Sequence, residues 1–186
     1  MLGENTAEEK EPTAMSERRV QRGAQFELIT EPITLPNGRR VELDLLKHPG
    51  AAAVVPFLAD GRVVLIRQYR FAAGGYLLEV PAGKLDAGEA PERCAARELE
   101  EETGYRAGRL EKLGSIWPSP GFTDEKIHLF AAYDLTLAQQ RLESDEIIEL
   151  VPMPFEAALA AVADGGIEDA KSGMALLLAA ELRRRP

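Results

Sequence analysis

Glu98, Glu100, Glu101 and Glu102 crowd into the run Arg97-Glu98-Leu99-Glu100-Glu101-Glu102-Thr103-Gly104-Tyr105, and no other feature constrains the chain as much. The run reads as the last two turns of an amphipathic helix. Pro91 suits its first turn. Gly104 suits its end, where a left-handed residue is wanted. At about 3.6 residues per turn Glu98, Glu101 and Glu102 share one face, and Ala95 and Leu99 lie on an adjacent apolar stripe. Glu100 points elsewhere and is expected to be solvated. A helix C-terminus carries partial negative charge and favours Lys or Arg. Like charges four residues apart, such as Glu98 and Glu102, cost about 0.2–0.5 kcal/mol. Carboxylates gathered at such a place call for a cation among them; the plain alternative is a solvated acidic face. Clustered oxygen donors suit Mg²⁺ or Mn²⁺, and one Cys with two His in the chain speaks against zinc.

The spacing sharpens this reading. Gly83 is followed by five residues and Glu89, then by seven residues and Arg97-Glu98-Leu99-Glu100-Glu101-Glu102-Thr103-Gly104-Tyr105. The segment resembles the box of the Nudix hydrolases at every fixed position, with aromatic Tyr105 where an aliphatic residue is usual. The resemblance covers roughly residues 51 to 180. It implies an α+β class Nudix fold, an α/β/α sandwich with a mixed sheet. The pattern of strands and helices without regular βαβ alternation points the same way. Clustered carboxylates with divalent ions suit attack on a pyrophosphate, where the ions withdraw charge. Glu98 and Glu102 are the expected direct metal ligands and Glu101 the next candidate. Arg97, four residues before Glu101, would pair with it; a plain surface ion pair is the alternative. The family pattern favours an orienting role for Arg97 and implies the backbone carbonyl of Ala82 as a further ligand, with Glu89 nearby.

Composition narrows the class. A net charge of −9 argues against binding a nucleic-acid backbone. Cys94 excludes an internal disulfide, and inside the helix it reads as a small buried side chain. No apolar run approaches the roughly 18 residues needed to span a bilayer, so a soluble, cytoplasmic protein is expected. Residues 1–16 read as a disordered polar tail with no secretory leader.

Residues 17–50 read as an N-terminal β extension. Phe26 to Thr30 and Val41 to Leu45 alternate as strands around the turn Pro36-Asn37-Gly38. The unit is too small for its own core, so it must pack on the rest or on a second chain. Residues 51–186 form the hydrolase domain. Strands are expected over Ala51 to Leu58, Arg62 to Arg70, Tyr76 to Val80, Leu110 to Trp117, Lys126 to Tyr133 and Ile147 to Met153. Helices are expected over Phe155 to Ala163 and Asp169 to Leu182.

Three flanking features look like the ADP-ribose pyrophosphatase branch of the family. Arg67 and Arg70 end a strand beside the box loop, where guanidinium groups suit phosphate. Glu79 lies in the strand that enters the box, facing either the site or solvent. Pro120 and Gly121 follow the box, Pro120 fifteen residues past Tyr105. Gly83 suits a close backbone approach to metal and phosphate. The branch implies hydrolysis of ADP-ribose to AMP and ribose 5-phosphate by a homodimer whose N-terminal strands cross to the partner. Phe26 is then a candidate to stack on adenine, with core packing as the alternative. The N-terminal part holds no tryptophan for that task. The branch also implies a general base in the acidic loop, with Glu146 aligning best, Glu143 and Asp145 as rivals and Glu101 as the fallback. Glu149 is placed to touch a metal. His48 and His128 are expected to stay outside the chemistry. GDP-mannose or another nucleotide sugar is the alternative substrate, and an ADP-ribose-sensing module without turnover is the other class.

Overall fold

The computed structural model describes residues 17–23 and 26–184. The tail expected over residues 1–16 lies outside them. The chain divides into two compact units, one ending at Lys47 and one beginning at His48.

The first unit is an antiparallel sheet of β1 (Arg19–Arg22), β2 (Glu27–Thr34) and β3 (Arg40–Lys47), in that order. Pro36-Asn37-Gly38 turns the β2–β3 hairpin, with Gly38 at φ 81° and its N–H donated to the Leu35 carbonyl at 2.8 Å. Both hairpin strands run longer than their alternation suggests, because pairing continues for eight residues and carries Pro32 within it. Nothing in the sequence marks β1, since Arg-Val-Gln-Arg lacks alternation. Its place on β2 is set by the backbone ladder, with surface ion pairs such as Arg22–Glu27 at 2.8 Å alongside.

The second unit runs β4 (Ala51–Pro56), β5 (Arg62–Arg70), β6 (Gly75–Glu79), β7 (Ala82–Lys84), α1 (Pro91–Thr103), β8 (Tyr105–Arg106), β9 (Arg109–Ile116), β10 (Ile127–Tyr133), β11 (Thr136–Leu137), β12 (Ile148–Pro154), α2 (Phe155–Ala163) and α3 (Ala170–Arg184). β4 and β10 pair in parallel at the centre of the sheet β7-β4-β10-β9, whose other pairings are antiparallel. Alternate side chains of these central strands enter two different layers, because strand side chains have a period of two. Ala52, Val54, Phe130 and Ala132 meet Cys94, Ala95 and Leu99 of α1. Ala53, Val55, Leu129 and Ala131 join Leu65 of β5 and Ala175, Leu176 and Ala179 of α3. The mixed sheet therefore lies between helices. A second sheet, β12-β5-β6, is antiparallel. Continuous apolar strands fit a sheet buried on both faces.

Three further short strands, β7, β8 and β11, carry no strand signal in the sequence. β7 is Ala-Gly-Lys, without strand propensity, and it exists because β4 pairs with it. β8 and β11 form a two-residue ladder just past α1. No helix among the described residues is long and apolar enough to cross a membrane.

Leu129 is fully buried between the central strands and α3. Leu129→Ala should lower stability by about 2–5 kcal/mol, read as a reduced urea midpoint. An unchanged midpoint would contradict this account of the core.

Candidate active site

α1 starts at Pro91 and ends at Gly104, which takes the left-handed conformation at φ 71° and donates its N–H to the Glu100 carbonyl. Between these ends the helix turns its apolar stripe to the sheet, which brings Glu98 and Glu102 over β7. Glu102 is 1% exposed and Glu98 is 8% exposed. A Glu102 oxygen accepts the Ala82 N–H at 2.9 Å. Gly83 lies so near Glu98 that an added Cβ would overlap its carboxylate. The missing Cβ matters here for the place of the Glu98 carboxylate, not for a special dihedral.

Arg97 gathers the surrounding acids. Its Nη1 donates to Glu98 at 2.6 Å and to Glu101 at 3.1 Å. Its Nε and Nη2 donate to the two Glu89 oxygens at 3.0 and 2.9 Å. Nη2 also reaches the Lys84 carbonyl at 3.0 Å, so one guanidinium ties the helix to the box loop. Asp86 and Glu89 close a turn through which Gly88 passes at φ 75°.

The electrostatics divide these acids. The Arg97 hydrogen bonds hold Glu89 down at about 2. Burial pushes Glu98 up to about 6, with Arg97 opposing and the charges of Glu101 and Glu146 adding. Burial, then the charge of Glu98, carries Glu102 well above the ordinary carboxylate value. A buried charge is costly unless it is paired or holds a metal. Two buried carboxylates that resist ionisation, oxygen donors alone and a glycine cradle fit a hard divalent cation. Among the described residues no three acidic, His or Cys side chains converge on one point. Arg97 holds both Glu98 and Glu101 through one Nη1. Glu98 and Glu102 are the pair in place, beside the backbone of Ala82 and Gly83. Burial likewise pushes the Cys94 thiol up to about 12, which suits a structural side chain.

The flanking residues are arranged less simply. Glu79 faces neither solvent nor an open cleft: it is 1% exposed and takes both oxygens to Arg70, at 2.8 Å each. Lys171 adds a contact at 2.5 Å. Burial raises Glu79, but Arg70 and Lys171 outweigh it and hold the carboxyl below its ordinary value. Arg70 therefore spends its Nε and Nη2 on Glu79. Arg67 stays exposed, 4.5 Å above the Tyr76 ring and 3.4 Å from Glu149. Glu149 thus turns to Arg67. Glu100, expected in solvent, is instead paired with Arg106 at 2.9 Å and Arg141 at 3.4 Å. Pro120 and Gly121 lie in the turn that Phe122 and Thr123 close on the Ser119 carbonyl, and a Cβ at Gly121 would meet open space. Glu146 lies in an exposed loop, yet its charge acts on both Glu98 and Glu102. Phe26 precedes β2 in the first unit.

Lys171, Asp169 and Ser172, at the start of α3, were missed by the sequence reading. Lys171 lies 92 residues from Glu79, and nothing local marks the pairing. Gln140 and Arg141, which bond carbonyls at the end of α1, were missed for the same reason.

A family model for the NUDIX domain matches residues 47–174. The chain is 38% identical to an ADP-ribose pyrophosphatase of Bacillus subtilis (strain 168) over 168 residues, covering 89% of this chain and 91% of that one. It is 42% identical to a GDP-mannose pyrophosphatase of Yersinia pestis (strain Pestoides F) over 136 residues, 68% of each chain. A crystal structure of an ADP compounds hydrolase superposes with a TM-score of 0.78 at 24% identity, covering 92% of this chain and 96% of that one, a likeness of fold.

The pair Glu98–Glu102 sets a pH dependence. Both carboxyls ionise less readily folded than unfolded. Their stabilising contribution is complete below the ordinary value of 4.5 and is lost as pH rises through the folded values, about 6 for Glu98. In EDTA, Glu102→Gln should raise Tm at neutral pH and flatten the fall in Tm above about pH 5. The amide oxygen still accepts from Ala82. A lower Tm for the variant contradicts this assignment. Gly83→Ala should displace the Glu98 carboxylate and cut metal affinity at the site by about tenfold or more, measured by Mn²⁺ titration. Parent-like affinity would show that the close approach is dispensable.

Proposed function

The chain belongs to the NUDIX domain family, and we propose that it hydrolyses the pyrophosphate bond of a nucleoside diphosphate sugar, ADP-ribose above others, to give AMP and ribose 5-phosphate. The observation that carries this reading is the buried Glu98–Glu102 pair against Ala82 and Gly83. The 38% identity to an ADP-ribose pyrophosphatase across most of both chains supports the substrate.

Enzymes of this family typically use a divalent metal. Glu98, Glu102 and the Ala82 carbonyl would hold Mg²⁺ or Mn²⁺, with Glu101 next to join. When bound, such an ion neutralises the diphosphate and acidifies water. Arg97 keeps Glu98 and Glu101 on the loop side of the helix. Glu146 accepts the proton of the attacking water, because its loop is exposed while its charge reaches both buried carboxylates. Arg67 offers an exposed guanidinium to the anionic substrate. Arg70, aimed by Glu79, offers its remaining Nη1. Pro120 and Gly121 border the substrate, and Phe26, brought by a second copy of the chain, stacks on the base. A homodimer completes the picture. Tyr69, Tyr76 and Ile147 stand exposed beside Arg67, an aromatic surface that suits a second copy.

A second reading, GDP-mannose as substrate, is favoured by the 42% identity to a GDP-mannose pyrophosphatase. Incubation with ADP-ribose, GDP-mannose and diadenosine polyphosphates, with Mg²⁺ or EDTA, decides between them. ADP-ribose should give AMP only with metal, and Glu98→Gln should slow it by about 100-fold or more. Faster cleavage of GDP-mannose moves the assignment to that substrate. No metal-dependent product from any compound would falsify the enzyme reading. Tight ADP-ribose binding without turnover would support a sensing module instead.

A further inference from the structure

The segment after β11 is fastened to the end of α1 at three successive places. The Ala138 N–H donates to the Gly104 carbonyl at 2.7 Å. The Gln140 side-chain amide donates to the Glu102 carbonyl at 2.7 Å. The Arg141 N–H donates to the Glu101 carbonyl at 2.8 Å. The Arg141 guanidinium stands 3.4 Å from Glu100 and 3.9 Å from Glu101. Carbonyls at a helix C-terminus lack partners within the helix, which leaves them open to such donors. Gly104 is fitted to the segment, since a Cβ there would stand 3.1 Å from the Gln140 backbone nitrogen. Six residues beyond Gln140 comes Glu146. Its carboxylate accepts the Glu143 N–H at 2.8 Å and its own N–H donates to the Glu143 carbonyl at 3.2 Å, which closes a small turn.

We propose that residues 138–141 are a positioning strap, in which the Gln140 amide grips the backbone of Glu102 and so sets the Glu146 loop in register with the carboxylates of α1. The inference rests on the reading of Glu146 as the base. Gln140 touches no reacting atom and acts through Glu146. One residue, Glu102, thereby gives its side chain to the site and its carbonyl to the strap. The Ala82 N–H locates it from the sheet side and Gln140 from the loop side. A plain helix cap would leave the rate unaltered and change stability alone.

The test is a double-mutant cycle in steady-state ADP-ribose hydrolysis with Gln140→Ala and Glu146→Gln, and Gln140→Glu as a second variant that keeps the shape and loses the donor. The strap predicts kcat down by about tenfold to 100-fold in Gln140→Ala, because small misplacements are that costly. KM should stay within about twofold. The same substitution should cost little once Glu146 is Gln, since coupled residues are non-additive. Parent-like kcat in both Gln140 variants overturns the strap, as does an equal loss in both Glu146 backgrounds or a fully active Glu146→Gln enzyme. Turnover by the parent, measured first, tests the functional reading separately. Hydrogen exchange needs no turnover: faster exchange over residues 142–147 in Gln140→Ala, with α1 unchanged, supports the strap, and equal exchange overturns it.

Discussion

The structure depends on two carboxylates held out of water at the wrong end of a helix. α1 must bury Cys94, Ala95 and Leu99 against the central sheet, and the same rotation carries Glu98 and Glu102 inward. Burial that stabilises the apolar stripe therefore raises the energy of the acids beside it. Burying Leu99 contributes about 1.5–3 kcal/mol, with smaller shares from Ala95 and Cys94. The glycine at position 83 suits this packing, since an added Cβ would meet the Glu98 carboxylate and force it to move.

The surroundings of α1 follow from the same demand. Arg97 answers the acids on the loop side and ties Glu89, Glu98, Glu101 and the Lys84 carbonyl together. The strap answers the helix end, where partial negative charge accumulates. Arg141 and Arg106 supply there the positive charge that α1 lacks in its own last turn. The helix is thus completed by residues from elsewhere in the chain.

Much of this was legible in the sequence because it is local. The box spacing, Pro91 and Gly104 define α1, and the continuous apolar runs of β4 and β10 mark a sheet covered on both faces. What stayed hidden was decided by distant partners. β7 has no propensity of its own and forms on β4. Glu100 reads as solvent-facing until Arg106 and Arg141 are brought to it. Glu79 reads as facing either way because its partners include Lys171, on a helix far along the chain. Gln140 carries no motif, and its importance comes from the carbonyl it meets.

Glu79 and Glu102 make the sharpest comparison. Each is 1% exposed. Glu79 has a bidentate guanidinium and an ammonium, and its carboxyl sits below the ordinary value. Glu102 has one backbone N–H and, among the described residues, no hydrogen bond from Lys or Arg, and its carboxyl sits far above that value. Arg70 acts on Glu102 from a distance, yet its bonds go to Glu79. A chain that can supply two cations to one buried acid has the means to neutralise the other. Leaving Glu102 to a single N–H, next to a second buried acid, keeps its oxygens available for a partner that brings its own positive charge and draws the proton off, which is what a site for a divalent ion requires.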